Sequence, residues 1–242
     1  MKHALYSGTK NLYGDMATAA KSLVANSDVD MVWLLTEGGY DYYLPEGLFT
    51  VLDVSGQAYF PKDSPNMSSP FSYMALMRAA LALMPELAHV DRVLSLDCDT
   101  VCVRNVSQAW DMPIDGCYFS ASIEPRCCYK NMQYCNTGVA LYNLEMLRDG
   151  KAEEVVHCLN ARRFPNIEQD VFSFLCQGRI HEMPSEYNAG HRWTEPTNVV
   201  RIRHFAGDKH DKWSKSPEFD AWRRATWDEV LEMHAKAVRR NG

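Results

Sequence analysis

Apolar runs of strand length alternate along this chain with longer segments whose apolar positions recur at helical spacing. Segments 4–7, 31–36, 49–54, 92–96, 118–122, 139–144 and 199–205 are rich in β-branched and aromatic residues and are flanked by turn formers, which predicts strands. Between them, 12–25 carries small and apolar residues at helical spacing, and Ser69-Pro70 supplies a cap and first-turn proline for a helix running to Met84. Segments 145–162 and 168–176 read as two further helices, and 217–240 as two short ones. Strand, helix, strand in this order predicts an α/β fold: one Rossmann-like domain, a mostly parallel central sheet flanked by helices, and a short C-terminal helical tail.

Composition narrows the class. With 242 residues and 46% hydrophobic content, the chain can bury about 70% of its unfolded surface and fold as one domain. Lys+Arg at 25 against Asp+Glu at 31, with no basic run longer than Arg239-Arg240, offers no electrostatic footprint for a nucleic acid partner. The apolar stretch 79–84 stops at Pro85, far short of the roughly 20 residues that span a bilayer. Met1 to Tyr6 lacks the apolar core of a signal peptide. A cytoplasmic location is therefore expected, with the eight cysteines as reduced thiols. Cys127, Cys128 and Cys135 cluster, but at no standard zinc-ligand spacing. The Pro/Ser-rich stretch 61–70 is either a cover over a binding site or an inert connector.

The candidate chemistry begins where Val93-Leu94-Ser95-Leu96 runs into Asp97-Cys98-Asp99. Strand alternation puts both carboxylates on one face at the C-terminal end, where two hard oxygen ligands can meet a divalent cation and where α/β sheets bind ligands. Closely spaced aspartates also occur in solvated turns, so the pair needs support from elsewhere. Glu168-Gln169-Asp170 opens a helix with three polar side chains, and Arg203-His204-Phe205-Ala206-Gly207-Asp208-Lys209 ends a strand in a histidine, a glycine turn and a cation. A neutral imidazole suits as third ligand beside two carboxylates, and Gly207 with Lys209 or Lys212 offers backbone N–H groups and positive charge for phosphates.

With these motifs in order, the sequence resembles glycosyltransferase family 8, the retaining nucleotide-sugar transferases of the GT-A fold. The likeness runs from the Asn11 region to Trp213. It rests on Arg92 to Val101 with Asp-x-Asp, on Cys135-Asn136-Thr137-Gly138-Val139 with Asn143-Leu144, and on Glu168-Gln169-Asp170. Met183-Pro184-Ser185-Glu186-Tyr187-Asn188, His204-Phe205-Ala206-Gly207 and Lys212-Trp213 continue it.

The resemblance implies a GT-A domain over 1–213 and a packed helical tail over 214–242. It implies Mn²⁺, with Mg²⁺ as substitute, on Asp97, Asp99 and His204. Thr9, Asn11 and Tyr13 loosely match the family's base-binding pattern, without its acid. Arg78 and Cys98 would stand by the donor, and Gly207, Lys209 or Lys212 by its phosphates. Asn136 and Glu168 would grip sugar hydroxyls, Glu168 standing where the family has aspartate. Gln169 would lie by the anomeric carbon, opposite the leaving group. The implied substrates are UDP-glucose or UDP-galactose and a carbohydrate or glycolipid acceptor.

Trp213, Trp222 and Trp227 interleaved with Arg223 and Arg224 allow at most peripheral membrane contact, and the tail's near-balanced charge favours packing on the core. Two rival readings stand beside this one. Asp97 to Val101 and Gly207-Asp208 also fit a phosphatase of the haloacid dehalogenase superfamily, although that fold puts its nucleophile on the first strand. The other rival is a module that binds a nucleotide-sugar without turnover.

Overall fold

The computed structural model describes residues 1–69, 71–124, 132–190 and 198–241. The chain runs through β1 (His3–Ser7), α1 (Tyr13–Ala25), β2 (Met31–Thr36), β3 (Phe49–Asp53) and α2 (Tyr73–Leu76), which tightens into 3-10 turns as far as Leu83. Next come β4 (Arg92–Leu96), β5 (Thr100–Cys102), β6 (Phe119–Ile123), β7 (Cys135–Asn143), α3 (Leu144–Leu147), α4 (Lys151–Ala161) and α5 (Ile167–Leu175). The order closes with β8 (Ile180–Glu182), β9 (Ile202–His204), α6 (His210–Trp213), α7 (Pro217–Arg224) and α8 (Trp227–Asn241).

Seven strands form one sheet in the order β3-β2-β1-β4-β7-β6-β8. β1 pairs in parallel with β2 and β4, β2 with β3, and β6 with β8, while β7 runs antiparallel between β4 and β6. The central strands read as near-continuous apolar runs because helices cover both faces. Leu5, Trp33, Leu35, Val93 and Tyr142 face one core with α4 and α5. Ala4, Tyr6, Leu34, Leu94 and Leu141 face the other, with α1 and Val230 of α8. A separate two-stranded ladder joins β5 to β9.

Several local readings are corrected by capping and pairing. Ser72, not Ser69, caps α2, accepting from the Met74 N–H at 3.2 Å; Pro70 lies outside the described residues. The expected helix 145–162 is two, because Asn143 caps the short α3 and Gly150, at φ 88°, turns the chain before α4. β7 starts at Cys135, earlier than expected, and β9 covers only Ile202–His204. β5 and β8, three residues each, are too short to leave a periodic signal.

The stretch after Pro61 is clamped rather than loose. Asn66 is fully buried, donates to Leu159 O (2.5 Å) and Arg162 O (2.8 Å), and accepts from the Phe164 N–H (2.9 Å). The tail packs back on α1: Lys21 Nζ donates to Ala225 O at 2.6 Å, and Trp213 and Phe219 are buried with Val101. Among the described residues no helix is long and apolar enough to cross a membrane.

Candidate active site

The site is built where β4 and β9 end beside the start of β7. The Asp97 N–H donates to Gly138 O (2.8 Å) and the Thr100 hydroxyl donates to Asp97 O (2.7 Å), which closes a tight turn carrying both aspartates. β5 then pairs antiparallel with β9, with Thr100 opposite His204. That register brings His204 Nε2 to 3.3 Å from Asp99 Oδ1 and 3.7 Å from Asp97 Oδ2.

An irregularity in β7 shapes the facing wall. Ala121 pairs with Ala140 but Ser122 pairs with Asn136, so Thr137, Gly138 and Val139 drop out of the ladder with β6. Thr137 becomes a hub: its carbonyl accepts from Arg78 Nη1 (3.1 Å), its hydroxyl donates to Glu168 Oε1 (3.2 Å), and its N–H donates to Gln169 Oε1 (3.2 Å). A Cβ at Gly138 would lie 2.2 Å from His204 Cε1 and 2.8 Å from both Asp97 Oδ2 and His204 Nε2. Only glycine leaves the space beside Asp97, Asp99 and His204 open.

That space fits a divalent cation. One ligand atom from each of Asp97, Asp99 and His204 lies within 4.8 Å of the others. Two carboxylates and an imidazole suit a hard or borderline ion. Asn188, fully buried, donates from Nδ2 to Asn136 Oδ1 (3.1 Å), which leaves its Oδ1 to accept from His204 Nδ1 (2.7 Å). Nδ1 therefore carries a proton and Nε2 faces the carboxylates. Burial disfavours the charged ring, but Asp99 and Asp97 outweigh it and hold His204 above the usual imidazole range. Burial, reinforced by Asp99 and opposed by Arg78, pushes the Asp97 carboxyl up.

Arg78, 6% exposed, ties the cation side to the other end of the cavity. Its Nη1 donates to Asp97 Oδ1 at 2.5 Å and its Nη2 to Glu168 Oε1 at 2.6 Å. Glu168 is buried, and its Oε2 has no hydrogen-bond partner among the described residues. Burial pushes its carboxyl above the ordinary value, against the pull of Arg78. Ile167 just before it has φ 39°, left-handed backbone that costs a β-branched residue about 1–3 kcal/mol. This turn at the head of α5 aims Glu168 and Gln169 inward.

A cavity of about 290 Å³ lies between these groups. Of the residues expected from sequence, Arg78, Asp97, Asp99, Asn136, Glu168, Gln169, His204 and Gly207 line it. Thr9, Asn11, Tyr13, Cys98, Lys209 and Lys212 do not. The Thr9 hydroxyl donates to Asn11 Oδ1 (2.7 Å), the Tyr13 hydroxyl accepts from the Glu37 N–H (2.8 Å), and Cys98 Sγ donates to Ser7 O (3.3 Å), all beside the end of β1. Lys212 pairs with Asp208 at 2.9 Å, and Lys209 is exposed ahead of α6. Cys127 and Cys128 lie outside the described residues; Cys135 is buried, its thiol pushed up to about 12.

Lining residues that sequence reasoning missed include Glu124, Phe71 and Ile167. Glu124 follows β6 as a single carboxylate with no companion motif, and Phe71 follows the clamped stretch, so neither carries a local signal. The positioning role of Asn188 shows only in space, although the residue closes a motif noted in the sequence.

The model of the family Glycosyl transferase family 8 matches residues 48–214. Comparison with curated protein sequences returns no match. Among solved structures, the chain is similar to galactosyltransferase LgtC in complex with donor and acceptor sugar analogues, at 19% identity and a TM-score of 0.67 over 97% of this chain and 95% of that one. It is similar to glycosyltransferase GlyE from Streptococcus pneumoniae TIGR4 at 17% identity and TM-score 0.69, over 98% of this chain and 64% of that one. Mouse xyloside xylosyltransferase 1 matches at 15% identity and TM-score 0.60, over 85% of this chain and 98% of that one. At these identities the structures show a shared fold.

Proposed function

The chain belongs to glycosyltransferase family 8 and is a glycosyltransferase, and on that premise we propose that it moves a hexose, glucose or galactose, from a UDP-sugar to a hydroxyl of a saccharide or glycolipid acceptor, with retention at the anomeric carbon. One observation carries the reading: Asp97, Asp99 and His204 converge beside a glycine whose Cβ would fill the space between them. Mn²⁺, or Mg²⁺ in its place, is the ion we assign to these three residues. Bound there, it supplies Lewis-acid neutralisation of charge on a departing diphosphate. LgtC was crystallised with donor and acceptor sugar analogues, and the same two ligand classes suit this cavity.

The chain's own residues divide the remaining work. Arg78 spans Asp97 and Glu168, so the cation side and the sugar side are held at a fixed separation. Glu168 Oε2, buried without a partner among the described residues, offers an acceptor to a sugar hydroxyl, and Asn136, whose Oδ1 already accepts from the Gly138 N–H and Asn188 Nδ2, offers its Nδ2 as a donor. Gln169, on the face away from the leaving group, is a neutral amide. Retention through a covalent glycosyl-enzyme needs a carboxylate there, so we favour front-face substitution. The bond from the anomeric carbon to the diphosphate oxygen breaks to an oxocarbenium-like ion pair. The acceptor oxygen then bonds on the same face, and its proton passes to the departing phosphate oxygen.

Gly207 with Lys209 or Lys212 would meet the phosphates, and Thr9, Asn11, Tyr13 and Cys98 would lie towards the nucleoside end. We read 1–213 as the catalytic domain and 214–242 as a tail packed on it. All six described cysteines are free thiols, which supports a cytoplasmic location. A phosphatase reading gives way to family membership, and the complete ligand triad favours turnover over mere binding. The test is a screen of UDP-sugars with Mn²⁺, measuring UDP release with and without saccharide acceptors. Release is expected to need the ion and to be nearly abolished by Asp99→Ala; full activity in EDTA would overturn the reading.

A further inference from the structure

Gln169 ends a hydrogen-bond chain whose direction is set inside the protein. Asp170 is 1% exposed. Its Oδ2 accepts from the Asn166 N–H (2.9 Å), and its Oδ1 accepts from Asn166 Nδ2 (3.2 Å) and from the Tyr134 hydroxyl. Tyr134, 4% exposed, has one proton and gives it to that carboxylate. Burial, reinforced by Asp170, pushes the phenol's pKa up, so the proton stays on the hydroxyl. The phenol oxygen is left to accept, from Asn166 Nδ2 (2.8 Å) and Gln169 Nε2 (3.1 Å).

The two ends of a primary amide have nearly the same shape, so the polarity of the partners decides which way it points. A carboxylate only accepts, and the phenol's proton is committed to it. Gln169 must therefore turn its NH₂ to Tyr134. Its Oε1 falls on the other side, where the Thr137 N–H donates to it (3.2 Å), along the cavity wall. We infer that Tyr134 and Asp170 are positioning residues of the transfer reaction, orienting Gln169 so that its amide oxygen, and not its nitrogen, faces the anomeric carbon. The inference rests on the proposed reading that Gln169 lies beside that carbon. An amide oxygen presents the negative end of its dipole to an oxocarbenium-like centre, and the nitrogen would present the positive end.

Two substitutions in the full chain test this. Tyr134→Phe removes the oxygen that receives Nε2. Asp170→Asn reverses the polarity, because its NH₂ donates to the phenol, whose proton is then free for Gln169 Oε1. Each is expected to lower kcat about 10- to 100-fold, with the donor KM within about twofold. The direct readout is nuclear magnetic resonance of protein labelled with ¹⁵N in glutamine side-chain amides. In the wild type the Gln169 amide protons should show cross-relaxation to the Tyr134 ring and slow solvent exchange. In Tyr134→Phe the Gln169 signal should shift and exchange faster, while those of Gln57 and Gln108, remote from the substitution, stay.

No cross-relaxation in the wild type, or Tyr134→Phe with kcat within twofold of wild type, would overturn the inference. A wild-type chain that shows the contact but turns over no nucleotide-sugar would instead overturn the donor reading, leaving the amide geometry standing.

Discussion

His204 Nδ1 stands 2.7 Å from Asn188 Oδ1, and the Asn188 amide nitrogen is itself held by Asn136. The imidazole thus cannot turn without breaking its buried hydrogen bond to Asn188, whose own amide Asn136 holds in place. Asn188→Ala should leave the ring free to rotate and weaken Mn²⁺ binding about 10- to 100-fold. An electron paramagnetic resonance titration of free Mn²⁺ reads this directly. Affinity unchanged from wild type would remove Asn188 from the site.

Gly138→Ala probes the open space. The new methyl would overlap His204 and press on Asp97, so both must move. Such overpacking should cost about 1–3 kcal/mol of stability and abolish Mn²⁺-dependent UDP release. Urea unfolding beside the release assay checks both. Normal turnover in this variant would show that nothing need occupy the space.

Arg78 decides how the buried carboxylates respond to pH. In the folded chain Glu168 holds its proton above the ordinary 4.5, through burial first, and Arg78 is the largest influence pulling the other way. A raised folded value means that stability from this group is complete below about pH 4.5 and is lost as pH rises through the folded value. Arg78→Met removes the opposing pull and should steepen that loss. Near pH 4.5 the variant should lie close to wild type. By pH 7 the gap should widen to about 3 kcal/mol, the cost of a buried carboxylate stripped of its partner. Urea midpoints at the two pH values measure it, and adding Glu168→Gln should recover part of the loss at pH 7. A gap that narrows with rising pH would contradict this assignment.

The parallel sheet was legible because β1, β2 and β4 are covered on both faces and so carry unbroken apolar runs. Asp97, Asp99 and His204 were legible because each sits at a strand end, where polarity changes abruptly. What escaped depends on partners distant in sequence. Nothing local in Thr137-Gly138-Val139 announces that these three residues leave the ladder with β6, since the jump is defined by the pairing of Asn136 with Ser122. Asn188 reads as a motif residue until the fold sets it behind His204. Lys212 lies close to Gly207 in sequence, yet Asp208 one turn earlier draws it to the surface. Gly150, at φ 88°, divides what reads from the sequence as one helix over 145–162.

The short ladder between β5 and β9 is what brings the imidazole to the two aspartates. It joins Thr100–Cys102 to Ile202–His204, about a hundred residues later, so both acidic side chains meet their imidazole only once this long-range pairing forms. Pairing so distant in sequence is expected to form late in folding. A chain truncated before β9 should lack the imidazole that completes the candidate ion site.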